Sequence, residues 1–293
     1  MGGRPDRPGV VLVVKLGGLG VERPEARAEL WRALGSLHLA LTARRDGSGV
    51  IIVHGGGEAI ARHLERLGMP TVKRDGIRLT PPEQMREIAG VLAGKVNAGL
   101  VGAMVAAGVP AVGLMLSSGG ALRCEVTTKY GPDAGRVGEI VGGDGSLIGT
   151  LLEAGYLPVF SSIGSAPDGE LVNINADDAA SGVARVAGAT GVVFLTDVPG
   201  VRGEAGTTLA EIDGAEIERL IKAGVIEGGM VPKVRGAFET ARALGVPVLI
   251  ASFDDPGALE GLASGERVGT RVVGGGAGRM ARGAVNKKSE VES

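Results

Sequence analysis

Short, continuous apolar runs punctuate the chain at intervals that leave room for helices between them. Each run has five or six residues and does not alternate with polar positions. This pattern is typical of strands that are buried on both faces of a mostly parallel sheet. The predicted strands are Val10–Lys15, Val50–His54, Ala111–Leu116, Leu157–Ser161, Gly191–Thr196 and Pro247–Ala251.

Longer stretches with the spacing of helices lie between these runs. They are Arg23–Thr42, Glu58–Leu67, Pro81–Ala107 and Ala176–Ala187. Strands that alternate with helices predict an α/β fold, a three-layer αβα sandwich around a mainly parallel central sheet. In such folds ligands bind at the carboxyl ends of the strands, so the loops that follow the runs are the places to look for chemistry.

One segment interrupts the alternation. "TVKRDGIRLT", residues 71–80, places Asp-Gly between extended flanks, which predicts a β-hairpin. Thr80 and Glu83 then have the spacing of a capping box, with proline at the first helical position. A charged hairpin beside a strand end could cover a site, although most such hairpins are only solvated surface.

Two glycine turns follow two of the predicted strands. "VVKLGGLG", residues 13–20, has lysine before its glycines, and "VHGGGEAIARHL", residues 53–64, has three glycines before a helix. The first turn matches neither the dinucleotide fingerprint nor the P-loop. Glycines let backbone N–H groups approach a ligand, and a helix N-terminus favours an anion. Together the two turns predict one anion cradle, whereas either turn alone is more often structural.

Two further segments carry candidate polar groups. In "LVNINADDAASG", residues 171–182, Asn173, Asn175 and Asp177 alternate, so they would project to one side of an extended stretch. Lys233 stands near a predicted helix start, where the helix dipole disfavours a cation, so it is expected to have an anionic partner. His54 precedes the glycines and is interpreted as structural.

Composition narrows the class of protein. The formal net charge is −2 and aromatic residues make up 2% of 293, so the chain lacks the charge and the stacking surfaces of a nucleic-acid-binding protein. Cys124 is the only cysteine, which excludes an internal disulfide and favours a reducing, cytoplasmic setting. No secretory signal is evident, and no apolar run approaches the length of a membrane span, so we expect no membrane partner.

Seven motifs occur in the order in which one family carries them. They are "KLGG" (15–18), "VHGGG" (53–57), "GIRLT" (76–80), "AGKVN" (93–97), "NINAD" (173–177), "TDVPGV" (196–201) and "GGMVPKV" (228–234). With them, over roughly residues 10–273, the chain resembles the acetylglutamate kinase branch of the amino acid kinase family. No single motif is diagnostic, but seven in order are highly specific.

The resemblance implies phosphoryl transfer from ATP to the side-chain carboxylate of N-acetyl-L-glutamate, a step of arginine biosynthesis. It implies that Lys15 draws charge from the migrating phosphoryl group and that Lys233 assists the leaving oxygen. Asp177 would hold both ammonium groups in place. Magnesium would be held mainly by the phosphates of ATP, with no dedicated protein ligand.

The resemblance also implies how the substrates are held. Gly17 and Gly18 would offer N–H groups to the phosphates, and Thr196 and Asp197 would lie on the nucleotide side. The remaining residues would bind the acceptor: Arg78 would grip its α-carboxylate, and Asn173 would hold the same end through the α-carboxylate or the acetamido group. These acceptor residues are Gly55, Gly56, Arg78 and Asn173.

The same resemblance implies two lobes and a dimer. Residues 1–188 would bind the acceptor and form the dimer, residues 189–274 would bind ATP, and residues 275–293 would be a disordered tail. The short segment before the first strand leaves no room for the N-terminal helix of hexameric relatives, so an arginine-insensitive homodimer is expected, with the helix near 83–107 at its interface.

Two alternatives stay open at this point. The same chemistry could act on another acceptor, such as a carrier-linked aminoadipate or a carbamate. A relative that binds an amino acid without catalysis could also keep the fold. Because a sensor could lose the phosphoryl-handling set, the presence of Lys15, Asp177 and Lys233 together favours a kinase.

Overall fold

An eight-stranded sheet forms the centre of the computed structural model, which describes residues 9–275 except 22–23, 75, 256, 258, 260 and 262–267. Its strands are β1 (Val11–Leu16), β2 (Gly49–His54), β5 (Ala111–Met115), β8 (Leu157–Ser161), β11 (Gly191–Thr196), β12 (Glu211–Ile212), β13 (Val248–Ser252) and β14 (Thr270–Val272). The spatial order is β12-β14-β13-β11-β1-β2-β8-β5. Neighbours are parallel except β13 and β14, which confirms the predicted, mainly parallel sheet.

Alternate residues of the central strands enter two separate cores. In β1, Val13 packs into one core and Val14 into the other, and in β2 the same holds for Ile51 and Ile52. Both faces of the sheet are therefore covered, which is why the apolar runs are continuous. The predicted three-layer αβα sandwich is confirmed.

Two groups of helices cover the two faces of the sheet. The first group is α1 (Ala28–Thr42), α2 (Gly57–Arg66), α3 (Pro82–Ala89) and α4 (Asn97–Ala106), with a π-helical segment, Gly90–Val96, between α3 and α4. The second group is α5 (Ser146–Glu153), α6 (Ala176–Val186), α7 (Gly214–Lys222) and α8 (Met230–Leu244). Helix α8 ends at Gly245, whose φ of 68° is the left-handed conformation that glycine adopts most easily.

The predicted hairpin is present as β3 (Lys73–Arg74) and β4 (Ile77–Arg78), paired antiparallel. A second sheet that the apolar runs did not predict consists of β6 (Leu122–Val126), β7 (Val137–Gly143), β9 (Ile163–Ser165) and β10 (Leu171–Ile174). Its spatial order is β6-β7-β10-β9. Strand β10 carries Asn173, so this sheet positions one of the predicted acceptor-binding residues.

Two local predictions were wrong. The N-cap of α3 is Pro81, with no side-chain cap, because the Thr80 hydroxyl donates to the Arg78 carbonyl instead. The alternation of Asn173, Asn175 and Asp177 also fails, since β10 ends at residue 174 and α6 begins at residue 176. Asp177 therefore projects from a helix and not from the strand face that carries Asn173.

The segment Pro82–Ala106 forms one helix of 25 residues, and an 18-residue window within it has a mean hydropathy of 1.6, so the helix is long and apolar enough by length and composition to cross a membrane. The expectation that no segment reaches this length is wrong for this helix. Side chains such as Ile88, Leu92, Leu100 and Met104 are buried in the core beneath the sheet. The helix thus also has the buried face expected of a core helix in a folded domain.

The predicted lobe boundary at 188/189 falls just before β11. Strands β1, β2, β5 and β8 precede it, and β11 to β14 follow it, so each segment supplies one half of a continuous sheet. The halves join where β1 pairs with β11, from Leu12↔Gly191 to Leu16↔Leu195. The predicted tail, 275–293, lies outside the described residues except for Gly275.

Candidate active site

A cavity of about 440 Å³ lies over the junction of the two halves, at the carboxyl ends of β1 and β11. This edge is where ligands bind in open α/β sheets. Seven of the predicted site residues line the cavity: Lys15, Gly17, Gly18, Asp177, Thr196, Asp197 and Lys233. The four predicted acceptor residues, Gly55, Gly56, Arg78 and Asn173, do not line it.

Lys15, near the end of β1, forms an ion pair with Asp177. Its Nζ atom lies 2.7 Å from Asp177 Oδ1, and the two side chains are 18% and 28% exposed. The carboxylate stands in the first turn of α6, where the helix dipole favours a negative charge. The oxygen is buried and accepts no well-aligned hydrogen bond, so Lys15 is its charge partner. The ammonium is therefore held at the cavity wall.

The ring of Phe194 supports the same ammonium. Lys15 and Phe194 are Cα partners in the β1–β11 register, and Nζ lies 5.4 Å from the ring centroid. A cation at this distance from an aromatic face is attracted to it. Gly17 leaves the space that the amine occupies, since a Cβ there would lie 3.0 Å from Nζ. Lys15 is thus fixed by a carboxylate, a ring and a glycine.

Lys233, in the first turn of α8, reaches the cavity from the other half of the sheet. Its Nζ donates to Thr196 Oγ1 and to Asp197 Oδ1, both at 2.7 Å. The bond from Lys233, and to a lesser extent the hydroxyl of Thr196, lowers the pKa of Asp197 to about 2. The predicted anionic partner of Lys233 is therefore a residue at the end of β11.

This pairing corrects the expectation that Asp177 holds both lysines. The end of β11 lies beside the start of α8, so Asp197 is the carboxylate that Lys233 meets. The other oxygen of Asp177, Oδ2, faces α8 near Gly236, where a Cβ would be 3.8 Å away. Two carboxylates, one for each ammonium, offset the repulsion between the lysines.

The second glycine turn is used for packing. Gly55 donates its N–H to the Leu16 carbonyl, and a Cβ at Gly55 would stand 3.0 Å from Ala176 Cβ. A Cβ at Gly56 would stand 2.9 Å from Leu92 Cδ2. These glycines let neighbouring helices approach the end of β2. In this structure the turn therefore has a packing role.

Arg78 is almost fully buried and ties the hairpin to α2. It donates to Thr71 Oγ1 at 3.1 Å and to the Gly57 carbonyl at 2.9 Å, and burial lowers its pKa. Asn173 Nδ2 donates to Thr80 Oγ1 at 3.0 Å. The structure thus places both predicted acceptor-binding side chains at the hairpin base, outside the cavity wall.

Six lining residues were not predicted: Glu58, Arg62, Phe194, Leu195, Ile250 and Phe253. Glu58 and Arg62 carried a usable signal, because they are four residues apart on the helix that follows the glycine turn and so share a face. No sequence signal indicated Phe194, because its contact with Lys15 depends on the register between β1 and β11, which the sequence does not show.

His54 is fully buried and neutral. Asn97 Nδ2 donates to its Nε2 at 3.0 Å, which leaves Nδ1–H to donate to the Gly55 carbonyl at 2.9 Å. Burial lowers the pKa of His54 to about 4. The histidine braces the glycine turn from beneath and does not reach the cavity, in agreement with its predicted structural role.

Comparisons with known proteins point in the same direction as this geometry. The model of the amino acid kinase family matches residues 10–252. An acetylglutamate kinase of Edwardsiella ictaluri is 41% identical over 261 residues, which are 89% of this chain and 98% of that protein. The fold is also that of a carbamate kinase from Giardia, with a TM-score of 0.62, 19% identity, and 91% and 99% of the two chains covered.

A further structural likeness is to N-acetylglutamate synthase from Neisseria gonorrhoeae, solved with coenzyme A and N-acetyl-glutamate. The TM-score is 0.72 at 22% identity, over 90% of this chain but 59% of the synthase. At that identity the likeness concerns the fold alone. The matched family model, the relative at 41% identity and the paired lysines at the sheet edge agree: this chain belongs to the amino acid kinase family.

Proposed function

We propose that the chain phosphorylates the side-chain carboxylate of N-acetyl-L-glutamate with ATP, giving N-acetyl-L-glutamyl 5-phosphate in arginine biosynthesis. The observation that carries the proposal is the convergence of Lys15 and Lys233 on one cavity, each with its own carboxylate partner. The relative at 41% identity supports the choice of acceptor.

In phosphoryl transfer the protein mainly positions the substrates and stabilises charge. An oxygen of the acceptor carboxylate attacks the γ-phosphorus of ATP, the bond to the bridging oxygen breaks, and ADP leaves with that electron pair. Lys15 would stabilise the charge on the migrating group, and Lys233 the charge on the leaving oxygen. Asp177 would act on the reaction by holding Lys15 in place.

Backbone and side-chain groups near the lysines would hold the phosphates. Gly18 has a φ of 57°, a left-handed conformation suited to glycine, and follows Gly17 in the cavity wall. Their N–H groups would serve the phosphates, and Thr196 and Asp197 would lie toward the nucleotide. Residues 189–274 would accordingly form the ATP-binding lobe.

The acceptor would bind in the other lobe, residues 1–188. Arg78 would exchange the Gly57 carbonyl for the α-carboxylate of the acceptor, for which a guanidinium has a matching fork. Asn173 would bind the same end, and the glycine turn at Gly55 and Gly56 would carry the reacting carboxylate. This assignment requires the hairpin to shift when the acceptor arrives.

Magnesium would enter with ATP. Among the described residues no group of three or more histidine, cysteine or acidic side chains could hold a metal ion. Asp177 and Asp197 are each engaged by a lysine. This donor set fits an ion that is carried by the nucleotide phosphates, where Mg²⁺ commonly binds.

We also propose that the protein is a cytoplasmic homodimer. The helix Pro82–Ala106 supports this, because Val105 is 56% exposed on a helix whose other face is core. Light scattering should give the mass of two chains, and a stable hexamer would contradict the proposal. The single free thiol, buried at Cys124, suits a reducing compartment.

The function is tested by coupled ADP release with ATP and a panel of acidic acceptors. N-Acetylglutamate should be turned over, and glutamate, N-acetylaspartate, carbamate and aminoadipate should not. Lys15→Ala should abolish turnover, while Lys222→Ala, an exposed lysine on α7, should leave it unchanged as a matched control. Turnover with another acceptor alone would contradict the substrate, and no ADP release with any acceptor would contradict the kinase.

A further inference from the structure

A second cavity, of about 380 Å³, lies between α2 and the helix that carries the π segment. Its volume falls in the range of small-molecule sites. The side chains and glycine that matter here are Arg62, His63, Arg66, Glu87, Gly90 and Lys95. None of the predicted catalytic or substrate-binding residues belongs to it.

The charges in this cavity are unbalanced. Arg66 and Lys95 are cationic, and the single lining carboxylate, Glu87, is already engaged by His63 at 2.6 Å. Within the described part of the chain, Arg66 and Lys95 form no ion pair and no side-chain hydrogen bond. A concave surface with an excess of positive charge concentrates anions, although this chain has a formal net charge of −2.

The π segment is what brings Lys95 to this surface. Gly90 and Lys95 are five residues apart and line the same cavity. In an α-helix five residues turn through roughly 140° beyond a full turn, which would point Lys95 elsewhere. The i→i+5 bonding of a π-helix returns it to the face of Gly90, and such segments often occur at functional sites.

Gly90 adds a second, independent feature. A Cβ at this position would meet nothing within 4 Å, and its φ of −58° is ordinary for a helix. Neither packing nor backbone conformation therefore requires glycine there. Gly90 lines the cavity and places no side chain there.

We propose that this cavity is a second anion-binding site, which takes a small oxyanion carrying at least two phosphate or carboxylate groups. Arg66 and Lys95 come from two different helices and suit a multivalent ligand, since a guanidinium pairs with two oxygens at once. Arg62 also lines the catalytic cavity, so an occupant of the second cavity would share a charged neighbour with the reaction site.

The experiment is calorimetric titration of the full chain with pyrophosphate and, separately, with citrate. A Lys15→Met/Lys233→Met background removes the two cations of the catalytic cavity, so that binding there does not obscure the result. One site should titrate, and Lys95→Ala or Arg66→Ala should weaken it at least tenfold. Tighter binding of pyrophosphate would identify a phosphate ligand, and tighter binding of citrate a carboxylate ligand.

Arg86→Ala is the matched control. Arg86 is exposed on the same continuous helix as Lys95 but outside the cavity, so its loss removes the same charge. It should leave the affinity unchanged. The proposal is overturned if neither probe binds, if Lys95→Ala and Arg66→Ala both bind as the parent does, or if Arg86→Ala weakens binding equally. These readouts are independent of kinase activity.

Discussion

The two sides of the candidate active-site cavity hold ion pairs of the same length in different surroundings. Lys15 and Asp177 are 2.7 Å apart and 18% and 28% exposed, whereas Lys233 and Asp197, also 2.7 Å apart, are 40% and 59% exposed. A pair of charges at 4 Å is worth about 1 kcal/mol in water and about 4 kcal/mol at an effective dielectric constant of 20. The Lys15 side, which we assign to the acceptor, is therefore fixed electrostatically, and the Lys233 side, which we assign to the nucleotide, is screened.

This difference in exposure fits the different roles that we propose for the two lysines. The ammonium of Lys15 rests on a carboxylate, a ring and a glycine, all on elements of the central sheet or against it. Lys233 is held by two groups at one strand end, which water or a phosphate can replace. In the proposed reaction, the more buried lysine would therefore be a preorganised group for the reacting phosphoryl, and the more exposed lysine would adapt to the nucleotide.

The largest effect is expected for Lys15→Met. A methionine keeps much of the length of the side chain but removes the charge, and loss of one preorganised group at a developing charge costs about 10²–10³-fold in kcat. We expect about 10³-fold, since Asp177 is also left without its partner. The measurement is kcat from ADP release, with circular dichroism to show that the variant folds. A fall below tenfold would end the distinction between the two sides.

The pH dependence of folding should arise mainly in residues 1–188, the part of the chain that carries Lys15 and Asp177. The folded-state pKa of His54 is about 4, below the value of 6.5 expected when it is exposed. Between these values the unfolded chain binds the proton and the folded chain does not, so stability is full above pH 6.5 and falls toward pH 4. The loss from this residue is about 3 kcal/mol over that interval.

Urea unfolding at pH 7.0, 5.5 and 4.5 measures this slope, and His54→Gln should flatten it. His38, whose pKa burial also lowers, contributes in the same direction, so His38→Gln serves as the parallel variant. All three histidines of the chain precede residue 188. An unchanged slope in His54→Gln would show that the buried imidazole does not resist protonation.

Lys233→Met should act mainly on the nucleotide. We expect kcat/KM for ATP to fall about 10²-fold, with a raised KM for ATP and a KM for the acceptor close to that of the parent. The physical reason is that this ammonium, on α8, lines the part of the cavity that we assign to the phosphates of ATP. An equal rise in the KM values for ATP and for the acceptor would contradict the separation of roles.

The central sheet could be predicted because both of its faces are buried. Continuous aliphatic runs then mark the strands directly, and all six predicted runs became strands. The second sheet could not be found this way, since β6, with Leu122 and Cys124 buried and Arg123 exposed, is short and mixed in character. Its strands gain their stability from partners distant in the sequence, which short-range patterns do not show.

The two candidate lysines and the pairing of Lys15 with Asp177 could be predicted, but the partner of Lys233 could not. Glycines and a lysine after a strand indicate an anion site, and the family motifs supplied Lys233 and Asp177. The choice of Asp197 as the partner of Lys233 depends on how β11 and α8 meet in space. The π segment is equally hidden, since nothing in "GVLAGKV" separates it from an α-helix.

The smallest effect is expected for Asp197→Asn, the exposed counterpart of the Asp177 position. An exposed ion pair contributes about 0–1 kcal/mol, so the free energy of unfolding should change by less than 1 kcal/mol. The folded-state pKa of Asp197, about 2, lies below its usual 3.8, so the pair stabilises the fold above about pH 4 and is lost as the pH falls toward 2. Urea midpoints of parent and variant should therefore differ by a constant amount from pH 5 to 8.

Turnover of the Asp197→Asn variant should fall less than tenfold, because Thr196 still orients Lys233. Asp177→Asn provides the contrast: there the more buried Lys15 loses its partner, and the fall in kcat should be larger. Both variants remove one carboxylate charge and keep the size of the side chain. The two variants therefore differ mainly in how buried the affected ion pair is. If the Asp197 variant were the more damaged of the two, burial would not be what separates the two sides of this cavity.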